Sequence, residues 1–269
     1  MAIQVFLAVL CALFGLFLYQ TFLRDRWIRA RSFPASWSAI LRERLPVYAA
    51  LAPPEQRRLQ QLIQLFVAKK RFYGCAGLEI SEEIKVTIAA QACLLLLNRG
   101  WSVYPSLTAI LVYPEAFRVQ RDQQSEGVVS ATSRNLSGES WSNGRVILSW
   151  DNVERGVTDF SDGQNVVLHE FSHQLESESG STNGAPPLGR NSYKAWAAVF
   201  SENFEDLRDR SRRQQDIVMD EYGATNPAEF FAVATETFVE KPHQLYKRRK
   251  ALYEELSLYY QLDPRSWQT

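Results

Sequence analysis

The feature that most restricts this chain is a pentapeptide, His169-Glu170-Phe171-Ser172-His173. Two histidines four residues apart lie one turn apart on the same face of a helix, so both imidazoles can reach one ion. Val166-Val167-Leu168 before the motif and Leu175 after it continue an apolar pattern without a breaker, which predicts that the motif is helical. The chain has only three histidines, and two of them fall here. Zinc favours histidine nitrogen and keeps one position open in catalytic sites, where it lowers the pKa of water to about 7. The spacing therefore predicts zinc on His169 and His173, with Glu170 placed as the base that takes the proton of an attacking water.

A third ligand must come from elsewhere. The continuation Gln174-Leu175-Glu176-Ser177 excludes the HExxHxxGxxH extension, and the H-x-x-E-H order is absent. A glutamate on a second helix is the remaining common solution. Glu229 and Glu236 lie seven apart in Asn226-Pro227-Ala228-Glu229-Phe230-Phe231-Ala232-Val233-Ala234-Thr235-Glu236, on one helical face. A carboxylate in such apolar company needs a partner. Glu229 also fits a capping box with Asn226, with Pro227 at the first helical position. Spacing leaves Glu229 and Glu236 equally eligible, with His243 a weaker option.

The N-terminal end carries a second strong signal. Residues 3–19 are almost wholly apolar, long enough to span a bilayer as a helix. Four arginines follow in Arg24-Asp25-Arg26-Trp27-Ile28-Arg29-Ala30-Arg31, and no basic residue precedes the run. This asymmetry predicts a single-pass anchor at residues 1–23 and a basic juxtamembrane flank at 24–32. A catalytic domain at 33–269 would then face the cytoplasm from the inner or plasma membrane. The alternative is a cytoplasmic protein whose apolar helix packs on the domain or on a second copy. No small-x-small cleavage site follows the run, which argues against a signal peptide.

Lys plus Arg and Asp plus Glu number 30 each, so no basic excess points to a nucleic-acid partner. Three cysteines without a CxxC do not form a disulfide framework, and Cys93 reads as a small core residue.

Between these landmarks the pattern runs helix, strand, helix. Pro53-Pro54-Glu55 opens a helix whose apolar face is Leu59, Leu62, Ile63 and Phe66. Ser81 caps another that continues to Leu97. Residues 109–113, Val128-Val129 and residues 146–150 are strand candidates between glycines. A Ser/Gly/Pro-rich loop occupies 177–192, and helices are expected at 193–210, 227–240 and 244–260. The fold class expected is α+β: mostly helical, zincin-like, with a small, mostly antiparallel sheet.

Several motifs in this order resemble the Mlc titration factor A family of zinc peptidases. They are Gly74-Cys75-x-Gly77-Leu78-Glu79, residues 86–96, Gly138-Glu139-Ser140-Trp141, Leu148-Ser149-Trp150-Asp151, residues 169–175, Asn183-Gly184-x-Pro186-Pro187, and Tyr222-x-x-x-x-Pro227 through Val233. The resemblance spans about residues 33–268. The catalytic part of that family is similar to the lethal factor metalloprotease domain, which pairs a tyrosine with a glutamate ligand seven residues later. By that resemblance Glu229 is the third metal ligand, Glu236 takes a supporting role, and Tyr222 donates to the developing oxyanion. The family further implies aminopeptidase-like action on a peptide or protein substrate. It also implies, as an alternative function, a regulatory zinc protein that sequesters a transcriptional repressor. The N-terminal apolar segment departs from the simplest members.

Overall fold

The computed structural model describes residues 23–115, 144–189, 192–215 and 218–267, the strand backbone at 117–118, 135–136 and 138–141, and isolated residues at 4–6, 10–11, 14–15 and 19. Helix α1 (Arg24–Ala30) leads into α2 (Ala35–Arg44) and α3 (Pro53–Lys69). In α3, Pro sits at the first turn, and the backbone N–H of Ala52 donates to the Glu55 carboxylate, which satisfies an otherwise unpaired donor. Strand β1 (Arg71–Gly74) follows, then α4 (Glu82–Leu94), capped by the Ser81 hydroxyl accepting from Ile84 N. Next come β2 (Ala109–Tyr113), the short pair β3 (Phe117–Arg118) and β4 (Asn135–Leu136), then β5 (Gly138–Trp141) and β6 (Arg145–Ser149). Helices α5 (Trp150–Thr158), α6 (Val166–Ser177), α7 (Tyr193–Arg212), α8 (Pro227–Glu240), α9 (Pro242–Arg248) and α10 (Lys250–Tyr260) complete the order.

The main sheet has the order β1-β2-β6-β5. Its first three strands are parallel, Arg71 pairing Ala109 and Ala109 pairing Arg145, and only β5 runs antiparallel to β6. The expectation of a mostly antiparallel sheet is corrected: the core of the sheet is parallel. Parallel neighbours need long crossovers, and the chain provides one through α4 between β1 and β2. Gly144, immediately before β6, sits at φ +71°, where an added Cβ would lie 2.5 Å from Ser106 O.

Helix α4 is the central element. Residues 86–94 are all buried, and α4 packs against α2, α3 and α6. α6 lies beside β5 and β6 on one side and α8 on the other, and α8 is buried from Phe230 to Glu240. An aromatic cluster joins these layers: Phe171 of α6 stands 4.8 Å from Tyr104 and 5.6 Å from Phe66, between ring centroids.

Other expectations differ in detail. The strand expected at 146–150 ends at Ser149, because Trp150 already starts α5. The helix expected at 244–260 is two, broken at Arg249. Val128-Val129 lies outside the described residues, as does most of the anchor expected at 1–23. Among the described residues, no helix is long and apolar enough to cross a membrane.

Candidate metal centre

The HExxH segment is helical because its N-terminus is capped from within the core. Asn165, 1% exposed, accepts with Oδ1 from Val167 N (3.1 Å) and Leu168 N (3.0 Å), while its Nδ2 donates to Gln91 Oε1 (2.7 Å) and Glu240 Oε1 (3.0 Å). Phe171 and Leu175 turn into the core, which rotates His169 and His173 toward α8. Their ring centroids are 5.0 Å apart.

Helix α8 brings the carboxylate. Asn226 caps it, accepting from Ala228 N (2.9 Å) and Glu229 N (3.0 Å). Glu229 does not use its side chain for a capping box; Oε2 lies 3.0 Å from His169 Nε2 and 3.5 Å from His173 Nε2. One donor atom each from His169, His173 and Glu229 fall within 4.8 Å of one another. Two imidazole Nε2 atoms and one carboxylate oxygen converging on a common point form the donor set that zinc takes in open sites, so these residues fit the metal.

The other nitrogen of each imidazole is fixed as well. His169 Nδ1–H donates to Glu236 Oε1 (2.8 Å), and His173 Nδ1–H donates to Glu176 Oε2 (3.3 Å). A carboxylate can only accept, so Nδ1 carries the proton and Nε2 is the atom left for a metal. Glu236 in turn accepts from Asn165 N, and Glu176 accepts from Gly184 N with its second oxygen. Glu236 therefore sits behind a ligand, and the two eligible glutamates divide into one facing Nε2 and one facing Nδ1.

Electrostatics follow this geometry. Burial alone would lower the His169 imidazole, but Glu236, Glu229 and Glu170 hold its proton well above the ordinary histidine range. Burial also works against a charged His173, yet Glu176 and Glu229 raise it to about 9. Burial would raise Glu229, but hydrogen bonds from both imidazoles hold it well below the usual carboxylate range. Without metal the site holds protons on both histidines, and metal binding must release them.

Glu170 is different. It is 4% exposed, and its Oε2 is buried without a hydrogen-bond partner. Burial raises its carboxyl to about 7, even though His169 and His173 pull it down. A carboxylate near neutrality beside a metal-ligand set is suited to accept and return a proton.

Tyr222 sits on the 3-10 turn Glu221–Ala224, its ring centroid 6.0 Å from that of His169. The turn is fixed by Asp220 accepting from Tyr222 N (2.8 Å), and by buried Gly223, whose Cβ position lies 3.2 Å from Leu207 and Val233. Tyr222 itself is 45% exposed. His243, the weaker ligand option, is not in the cluster found among the described residues.

The loop after α6 is tied to the centre. Gly184, at φ +83°, places its Cα so close to α8 that a Cβ would lie 2.7 Å from Pro227 O. Its carbonyl accepts from Trp196 Nε1 (2.9 Å). Asn165, Gln91, Glu176 and Glu240 were not singled out in the sequence; the only signal was the position of Glu176, one turn after His173 on the same helix.

Comparison with known proteins points to a metallopeptidase family. Residues 19–261 match the family described as glucose-regulated metallo-peptidase M90. An uncharacterized protein of Synechocystis sp. is 43% identical over 244 residues, covering 90% of this chain and 89% of its own length. A protein of Yersinia pestis (strain Pestoides F) named Mlc titration factor A is 31% identical over 238 residues, covering 86% of this chain and 85% of its own.

Proposed function

The chain belongs to the glucose-regulated metallo-peptidase M90 family, and from that premise we propose that it is a zinc-dependent peptidase with an aminopeptidase-like preference for small peptides. The observation that carries this reading is the convergence of His169, His173 and Glu229, with both Nδ1 atoms already committed to carboxylates. His169, His173 and Glu229 would hold the ion, which when bound supplies the positive charge that acidifies water and polarises a peptide carbonyl. Glu170 takes the proton of the attacking water and returns it to the leaving amine. The Tyr222 hydroxyl donates to the developing oxyanion, and its exposed turn leaves room for substrate. Among the described residues β5 pairs only with β6, so its outer edge, next to α6, offers backbone groups to an extended peptide.

The test is hydrolysis of aminoacyl chromogenic substrates and a mixed peptide pool by the zinc-loaded chain and by Glu170→Gln. Turnover in the parent, and loss of it in a variant that keeps its zinc, is expected. Equal rates in the two proteins would remove Glu170 from the mechanism.

The name of the Yersinia relative favours a second reading, in which this chain also binds a transcriptional repressor. Repressor capture that survives Glu170→Gln would support it; capture that fails in both proteins would dismiss it. We further propose that residues 1–23 seat the protein in the inner or plasma membrane with the peptidase domain toward the cytoplasm, as the apolar run and its basic flank suggest.

A further inference from the structure

We propose that the cleft between α1 and the start of β1 binds the phosphate of an anionic membrane lipid. The cleft measures about 770 Å³ and opens to solvent. Arg24 and Asp25 of α1 line one side, Lys69, Lys70 and Arg71 at the α3–β1 junction another, and Thr108 a third. Four cations thus face one carboxylate.

These cations are not equivalent. Lys69 is paired with Asp25, and Lys70 Nζ, buried, donates to the carbonyls of Tyr104 and Leu107 (2.6 Å each). The Arg24 and Arg71 side chains make no ion pair or hydrogen bond among the described residues. Two guanidinium forks left unpaired on one concave surface match phosphate geometry better than a point charge would.

The cleft is a fixed feature of the domain. Ile28 of α1 is 7% exposed against α3, and the amides of Gln61 and Gln64 donate to the carbonyls of Arg29 and Arg31. The positions of Arg24 and Asp25 are set by this docking.

What stands around the cleft selects the occupant. Leu23, immediately before Arg24, is 52% exposed, and the neighbouring aromatics Tyr19 and Trp27 are exposed too. The Arg31 guanidinium stacks 3.4 Å above the Trp27 ring. Exposed aromatics beside arginines, at the end of an apolar segment, are the arrangement found at headgroup depth. A phosphate in the cleft would sit where the apolar segment meets water. The inference rests on the membrane-seated reading of residues 1–23.

Flotation of the full chain with phosphatidylcholine vesicles, and with vesicles containing one-third phosphatidylglycerol, tests it. Phosphatidylglycerol is expected to raise partitioning by on the order of 20-fold at low salt, from two arginines at the surface. The double substitution Arg24→Gln/Arg71→Gln should remove most of that gain and leave phosphatidylcholine partitioning unchanged. Both residues are exposed, and an unchanged melting curve checks the fold. The charge-matched control Arg26→Gln/Arg57→Gln, outside the cleft, should keep most of the gain. An equal loss in the control would reduce the effect to a generic basic flank and overturn the site. So would no gain in the parent, or displacement by inorganic phosphate at constant ionic strength, which would indicate a free-anion site. A parent that floats with neither vesicle would instead overturn the membrane-seated reading on which the site depends.

Discussion

The two sides of the metal centre are held very differently. On the α6–α8 side, Glu176, Glu236 and Asn165 are each less than a tenth exposed, and each bonds to a second group behind the histidines. On the other side, Tyr222 rides a four-residue turn and is 45% exposed. Metal ligands must be set before an ion arrives, because a loose donor set loses affinity to ordering entropy. A donor to the oxyanion has to leave space for substrate to enter. The contrast predicts that changes on the buried side alter metal affinity, whereas changes at Tyr222 alter turnover.

The largest effect should come from the ligands. His173→Ala or Glu229→Ala should weaken zinc binding by at least about a thousandfold and abolish turnover, as read by chelator competition and peptide hydrolysis. Retention of zinc in either variant would break the comparison at its root. Glu170→Gln should lower kcat by about 10² to 10⁴ without changing zinc content.

The same variant has a second readout in the metal-free protein. A Glu170 carboxyl raised to about 7 is ionised in the unfolded chain before the folded one, so the parent loses stability as pH rises from about 4.5 to 7, and the loss is then constant. Glu170→Gln should therefore gain on the parent across that window, by up to about 3 kcal/mol in denaturant unfolding. A pH-independent difference would mean that the carboxylate is solvated.

Tyr222→Phe should reduce kcat by about 10² to 10³ with zinc affinity and melting temperature unchanged. A loss of zinc in this variant would show that the exposed turn shapes the metal set after all. Glu236→Gln should weaken zinc by about 10- to 100-fold, because His169 loses its orienting acceptor, while kcat at saturating zinc changes less. A variant with parental zinc affinity would make Glu236 a packing residue.

How much of this was legible depended on whether a signal is local. The helical positions of His169 and His173 follow from spacing and flanking apolar residues, and α3, α4 and α8 from caps and periodicity. The choice between Glu229 and Glu236 was not readable from spacing, because both lie on one face of α8. It takes the tilt of α8 against α6 to point one at Nε2 and the other at Nδ1. The role of Glu176 has no local signal, since nothing in its own helix shows that Gly184 returns to cover it. The sheet's direction was missed for a related reason. β1 is only Arg71-Phe72-Tyr73-Gly74, too short to announce itself, and parallel pairing is fixed by what the crossover through α4 permits rather than by the strands' residues. Tyr222, on an exposed turn, had only the family resemblance to single it out.

The most direct test of the account is a zinc titration of the full chain by competition with a chromophoric chelator. One zinc per chain is predicted, with proton release as His169 and His173 give up their Nε2 protons, and with tight binding lost in His169→Ala, His173→Ala and Glu229→Ala but kept in Glu170→Gln and Tyr222→Phe. Zinc binding that persists in all three ligand variants, or no stoichiometric binding by the parent, would contradict it.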